Sequence, residues 1–168
     1  MNTLKRFIGI VVVASVLVAC QSSKSKLSEQ ITLLENETSA GYDVAKLEKL
    51  SSLYREYITK FPQDSKVIEY LFQSGTVNII LRKGGEASSD FTMLVDKFSQ
   101  SPHLAEAYYY IAYVYEDILY NIEAARLAYQ DFMTQFPKHR LAADAALSIQ
   151  YLGMSPEEIV ASFEQKEN

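Results

Sequence analysis

Apolar residues recur along the chain at the spacing of an α-helix, and the same stripe occurs three times. Within each stripe the intervals are four, three and four residues, which places the members on one helix face. The stripes end at Phe61, Phe98 and Phe136, which follow one another at nearly equal intervals. The members are Leu50, Tyr54, Tyr57 and Phe61; Ala87, Phe91, Leu94 and Phe98; and Ala125, Tyr129, Phe132 and Phe136. Their nearly constant period predicts a repeat.

Each stripe is followed by a turn and precedes another helical pattern. Pro62 and Pro137 come directly after two of the Phe residues and predict helix ends, because proline cannot continue a helix. The middle unit has Ser99 at that place. Asn121 predicts an N-cap for the third stripe, and Gly84-Gly85 predicts the turn before the second. Each unit is therefore expected to be helix A, turn, helix B, turn.

The two ends of the chain carry further helix signals. Residues 27–37 predict a short first helix, with Leu27, Ile31 and Leu34 on one face. Ser155-Pro156-Glu157-Glu158 predicts a helix start, with Ser as cap and Glu three positions later. The last helix, near 156–166, is expected to cap the array. Its inward-facing residues are expected to be Ile159, Val160 and Phe163.

This arrangement resembles the tetratricopeptide repeat (TPR) over about residues 43–152. Tyr108, Ile111, Ala112 and Tyr115 match its helix A pattern, and Ala125, Tyr129 and Pro137 match helix B. Asn78 departs from it, since an aromatic residue is expected there. The resemblance implies an all-α, TPR-like helical hairpin solenoid of about three repeats with a C-terminal capping helix. The long units are similar to the periplasmic branch of the family, which includes Tol-Pal-associated and outer-membrane assembly lipoproteins.

The first residues differ from the rest. Lys5 and Arg6 precede an uncharged apolar run that extends from Phe7 to Ala19. This run is too short to span a membrane, which takes a helix of about 20 residues, so residues 1–19 predict an export signal. Leu17-Val18-Ala19-Cys20 resembles the lipobox of bacterial lipoproteins, which implies cleavage before Cys20 and a covalent lipid on its thiol. The alternative is an ordinary signal that leaves a cysteine behind.

The residues after Cys20 suggest where the protein resides. Gln21 stands where an aspartate would retain such a lipoprotein in the inner membrane, so the resemblance implies a periplasm-facing anchor in the outer membrane. Residues 20–26, rich in Ser and Lys, predict the lipidated cysteine and a short tether. Residues 27–168 are then expected to form the repeat domain.

Charge and motifs exclude several function classes. Without residues 1–19 the chain has 14 basic and 21 acidic residues, a net charge of −7 that argues against nucleic-acid binding. Cys20 is the only cysteine, and His103 and His139 are expected at the surface near turns, so no zinc site is predicted. No phosphate-binding loop or nucleophile motif occurs. We expect no enzyme activity, no cofactor and no small-molecule substrate.

A second stripe on the A helices is the candidate groove. In the TPR family this stripe lines the concave face where partner segments bind. Its members are Glu69, Phe72, Thr76, Ile79, Glu106, Tyr109, Tyr113, Glu116, Asp144, Leu147 and Tyr151. An aromatic and acidic surface is expected, without Lys or Arg at these places. The alternative is that Tyr109 and Tyr113 only pack against neighbouring helices.

The expected function is that of a non-catalytic, lipid-anchored scaffold that binds another cell-envelope protein. Two alternatives remain open. One is peptidoglycan binding, with exposed tyrosines stacking on sugars. The other is a constitutive subunit of an outer-membrane assembly machine. A fold cannot decide among them, because function depends on the site.

Overall fold

The computed structural model describes residues 22–39 and 41–164, and its regular structure there is entirely helical, as expected. Eight α-helices follow one another in these residues. They are α1 (22–39), α2 (Val44–Lys60), α3 (Lys66–Ile80), α4 (Gly84–Lys97), α5 (Leu104–Tyr113), α6 (Ile122–Gln135), α7 (Ala142–Tyr151) and α8 (Pro156–Glu164). Contacts divide the chain into two compact units, of which the first ends at Val67 and the second begins at Ile68.

The first unit contains α1 and α2. Leu27, Ile31 and Leu34 are buried as predicted, and Tyr54 of α2 donates a hydrogen bond to Glu35 of α1 at 2.7 Å. The helix begins earlier than expected, so residues 22–26, predicted as a tether, are helical. Lys24, within this stretch, forms an ion pair of 2.9 Å with Asp64.

The second unit packs its helices in sequence: α4 against α5, α5 against α6, and α6 against α7. Side chains predicted from the stripes form its core. Those with no exposed surface include Ala87, Phe91, Leu94, Ala125, Tyr129 and Phe132. The helix-period stripes therefore identified the buried faces of α4 and α6 correctly.

The chain makes nearly the same turn after α2, α4 and α6. The φ and ψ angles are −129° and 54° at Phe61, −131° and 59° at Phe98, and −130° and 54° at Phe136. Each Phe N–H donates to the carbonyl four residues earlier. Phe98 adopts this geometry although Ser99, rather than proline, follows it. Proline is therefore compatible with the turn but is not needed to form it.

A polar residue three positions after each Phe accepts a backbone N–H where the next helix begins. Asp64 Oδ1, Ser101 Oγ and His139 Nδ1 each accept the backbone N–H two residues further on, at 2.9, 3.1 and 3.3 Å. Such N–H groups have no partner within their own helix. Three different residue types thus serve the same purpose, because each supplies a hydrogen-bond acceptor.

The turns before α4 and α6 each contain a left-handed residue that is not glycine. Arg82 has φ 58° and Tyr120 has φ 52°, a conformation that costs roughly 1–2 kcal/mol per residue. The Arg82 guanidinium donates to the Asp117 carbonyl at 2.6 Å and to the Tyr120 hydroxyl at 3.1 Å, and it also pairs with the Asp117 carboxylate. These bonds hold the two turns together.

The predicted turn at Gly84-Gly85 was wrong, because α4 already begins at Gly84. A close approach explains the glycine instead. A Cβ atom at Gly84 would lie 2.7 Å from Leu119 Cδ2. Glycine is therefore needed at position 84 because the backbone lies directly against Leu119, in the turn before α6.

The last helix starts as predicted but does not bury the predicted face. Ser155 N–H donates to Glu158 Oε2 at 2.7 Å, and Glu158 N–H donates to Ser155 Oγ at 3.2 Å, which is a capping box. Ile159 is half-buried, whereas Val160 is 57 % and Phe163 52 % exposed. The expectation that Val160 and Phe163 point inward was wrong, because no further described helix covers this side of α8.

Candidate binding face

The first part of the candidate groove lies on α3. Phe72, Thr76 and Ile79 are half-buried, and Glu69 is exposed. The Thr76 hydroxyl donates to the Phe72 carbonyl at 3.0 Å, so its polar group is engaged within the helix. Phe72 and Ile79 thus supply apolar surface in this part.

His103, at the start of α5, covers Phe72. Its ring stacks on the Phe72 ring with centroids 4.2 Å apart and planes 11° from parallel. Its Nε2 atom lies 2.8 Å from Glu69 Oε2. Burial raises the pKa of Glu69, but hydrogen bonds from Gln73 and His103 outweigh it, and the net pKa is lowered. His103 is thus a member of this face that the stripe did not include.

Tyr109 and Tyr113 of α5 are both half-buried. The Tyr109 ring lies 5.6 Å from the rings of Tyr129 and Phe132, and burial raises its pKa. The Tyr113 hydroxyl donates to Asp117 at 3.0 Å, and burial together with this bond raises its pKa. Tyr109 therefore contributes to the core as well as to the surface, while Tyr113 presents a fixed, half-exposed ring.

Glu106 has two basic neighbours from the turn before α7. The Arg140 guanidinium lies 3.3 Å and His139 Nε2 lies 3.5 Å from Glu106 Oε1. The face was expected to be aromatic and acidic, and Arg140, which lies outside the stripe, partly offsets the charge of Glu106. The stripe could not reveal this pair, since the partner lies far along the chain, just before the next A helix.

The segment after α5 winds as a π-helix from Val114 to Ile118. It holds Glu116, which accepts a hydrogen bond of 2.6 Å from the buried Tyr129 hydroxyl. Burial and this bond strongly raise the pKa of Tyr129. The wider winding was not predicted, because apolar spacing over a single turn does not separate α- from π-helix. The main role of Glu116 is therefore to accept the hydrogen bond of a tyrosine buried in the core.

The last part of the candidate groove lies on α7. Asp144 and Leu147 are exposed, the latter by 53 %, and Tyr151 is half-buried. The Tyr151 ring lies 5.6 Å from the Phe163 ring of α8. The structure thus brings together α3 with the start of α5, and α5 with the start of α7, while Tyr151 of α7 contacts α8.

A buried polar cluster replaces the aromatic residue expected at Asn78. Asn78 Nδ2 and Ser74 Oγ donate to the same oxygen of Asp90, at 3.0 and 2.7 Å, and both donors have no exposed surface. A carboxylate that accepts both bonds makes this burial tolerable. The departure from the TPR pattern therefore has a structural role.

The described residues hold no group of three or more His, Cys, Asp or Glu side chains placed to bind a metal ion. None of their helices is long and apolar enough to cross a membrane. Cys20 and the predicted signal lie outside the described residues. No protein-family model matches this chain, and no curated protein matches it.

Proposed function

We propose that this chain is a non-catalytic, TPR-like adaptor, anchored through a lipid on Cys20 in the outer membrane, that binds a segment of another cell-envelope protein in the periplasm. The observation that carries the binding role is the face of α3 and α5. There Phe72, Tyr109 and Tyr113 are half-buried and partly open to solvent. Half-exposed aromatic rings on rigid helices are typical anchors of protein interfaces.

The geometry favours an extended protein segment over a small molecule. Aromatic rings lie beside two polar pairs, Glu69 with His103 and Glu106 with Arg140. Such a surface offers apolar contacts and both signs of charge to a partner's side chains and backbone. Helical repeats commonly use their A-helix face in this way.

A photo-crosslinking amino acid at Tyr113, in the lipidated protein in cells, would test this function. We expect a crosslink to one or a few defined envelope proteins. The matched control is the same amino acid at Tyr42, a 71 % exposed tyrosine in the first unit. Identical crosslinks at both positions, or none at Tyr113, would remove the binding role.

The double variant Tyr109→Ala, Tyr113→Ala tests the alternative of simple packing. A variant that folds normally and keeps all its partners would leave these tyrosines with a packing role only. Mass spectrometry of the mature N-terminus tests the anchor separately, since an unmodified Cys20 would contradict it. Sedimentation with purified peptidoglycan tests the carbohydrate alternative, and stoichiometric crosslinked subunits would support the assembly-machine alternative.

A further inference from the structure

The last helix pair exposes a residue that the earlier pairs bury. Eight positions after the N-cap stand Phe91 in α4, Tyr129 in α6 and Phe163 in α8. The first two have no exposed surface, whereas Phe163 is 52 % exposed. The same position of the pattern is thus buried in α4 and α6 but exposed in α8.

The next A helix covers this position in the earlier pairs. Tyr110 of α5 lies 5.4 Å, ring to ring, from Phe91. Ala145 of α7 belongs to the same buried cluster as Tyr129. The described part of the chain has no helix after α8, and Leu147 of α7 is 53 % exposed. Leu147 and Phe163 therefore form an exposed apolar surface at the place where one more A helix would pack.

Charge indicates what kind of helix fits. Glu69, Glu106 and Asp144 occupy equivalent places, each eight positions after the Phe that follows the preceding B helix. Glu69 pairs with His103 at 2.8 Å and Glu106 with Arg140 at 3.3 Å, each partner coming from the start of the following A helix. Asp144 is exposed, and no described basic side chain forms an ion pair with it. By analogy, a covering helix would meet Asp144 with the residue at, or directly before, its N-cap.

We propose that a terminal face, formed by Asp144, Leu147, Tyr151 and Phe163, binds an amphipathic helix of a partner protein that carries Arg or His at, or directly before, its N-cap. The apolar stripe of that helix covers Leu147 and Phe163, and its basic residue pairs with Asp144. Asp144, Leu147 and Tyr151 are also members of the candidate groove, but the proposal does not depend on binding at Phe72, Tyr109 or Tyr113 of α3 and α5.

A second copy of the chain is a poorer occupant. His103 and Arg140 stand at the helix starts that would meet Asp144, and both already pair with acidic residues of their own chain. A second copy would have to break such a pair to supply the basic residue. A separate protein has no such cost.

The test uses a peptide that copies residues 135–151, because this segment covers α5 and α6 within the chain itself. Fluorescence anisotropy with the full chain is expected to show saturable binding. Asp144→Lys or Phe163→Ser should weaken it at least tenfold. Leu127→Ser is the matched control, since Leu127 is 66 % exposed on α6 and should leave binding unchanged.

A charge exchange makes the test specific. A peptide with the equivalent of Arg140→Glu should bind the unchanged chain poorly and the Asp144→Lys variant better. Equal affinity in all four combinations would overturn the role of Asp144. Self-association that Phe163→Ser abolishes, in a chain that does not bind the peptide, would overturn the proposal in favour of a second copy.

A fusion covers the case in which the short peptide does not form a helix on its own. Residues 135–151 are appended directly after Asn168, so that the copy begins fourteen positions after the α8 N-cap, as Gln135 does after Asn121. We expect a higher thermal midpoint that Asp144→Lys lowers again. The proposal would be overturned if the appended segment stayed disordered and left the thermal midpoint unchanged, and if the peptide also failed to bind.

Discussion

At the scale of single residues, two glycines of the second unit differ in the space around them. A Cβ at Gly75 would lie 2.6 Å from the ring of buried Phe91, whereas a Cβ at Gly85 would have nothing within 4 Å. Both residues lie in helices, where glycine costs stability relative to alanine. The same substitution is therefore expected to act with opposite sign at the two places.

Gly75→Ala should lower the free energy of unfolding by about 1–3 kcal/mol, because the added methyl displaces Phe91 in a packed core. Gly85→Ala should leave it unchanged or raise it by up to about 1 kcal/mol. Urea denaturation of both variants checks this pair. A Gly75→Ala variant as stable as Gly85→Ala would contradict the close contact.

Tyr129 predicts a pH dependence at the alkaline end. Burial and the bond to Glu116 raise its pKa in the folded state, so its contribution is present below the unfolded pKa near 10 and is lost as pH rises towards the folded pKa. Above pH 10 this residue alone should lower the stability by up to about 1.4 kcal/mol per pH unit. Denaturation curves measured between pH 8 and 11 give the free energy of unfolding at each pH. This free energy should fall less steeply with pH in Tyr129→Phe than in the unchanged protein. An unchanged slope would rule out this residue as a cause.

At the scale of elements, the cluster of Ser74, Asn78 and Asp90 joins α3 to α4. Asp90→Ala removes the carboxylate that two buried donors share, so a loss of about 1–3 kcal/mol in the free energy of unfolding is expected. Asp90→Asn keeps an acceptor and should cost less. Asp96→Ala, at an exposed position of the same helix, is the control. Thermal denaturation compares the three variants, and equal midpoints would contradict the importance of the cluster.

Elements with strong periodicity were predictable from sequence. Stripes with alternating steps of four and three identified the buried faces of α2, α4 and α6, and the Asn121 cap formed as expected, with its side chain 3.1 Å from the Ala124 N–H. The pairs Glu69–His103 and Glu106–Arg140 were not predictable, because they depend on how successive A helices, far apart in sequence, come into contact. The exposure of Phe163 was missed for a related reason. Its α8 position matches that of a buried residue, but burial requires a following helix.

At the scale of the molecule, stability should decrease towards the end of the second unit. α6 has packed helices on both sides in sequence, whereas α8 leaves Val160 and Phe163 exposed. Segments with few buried contacts open more readily. Amides of α8 should therefore exchange with deuterium faster than those of α6 in the native protein. Equal protection of α6 and α8 would show that the end is as firmly held as the middle.

The sequence separation of the two pairs Glu69–His103 and Glu106–Arg140 also has a consequence for folding during synthesis. Glu69 meets His103, and Glu106 meets Arg140, each about one repeat later in the chain. As the chain emerges from the ribosome, a helix pair lacks this contact until the next A helix has been made. Because such contacts are local on the scale of the whole chain, folding can advance with synthesis, one pair after another. The order of translation is then also the order in which the surface of the array is completed.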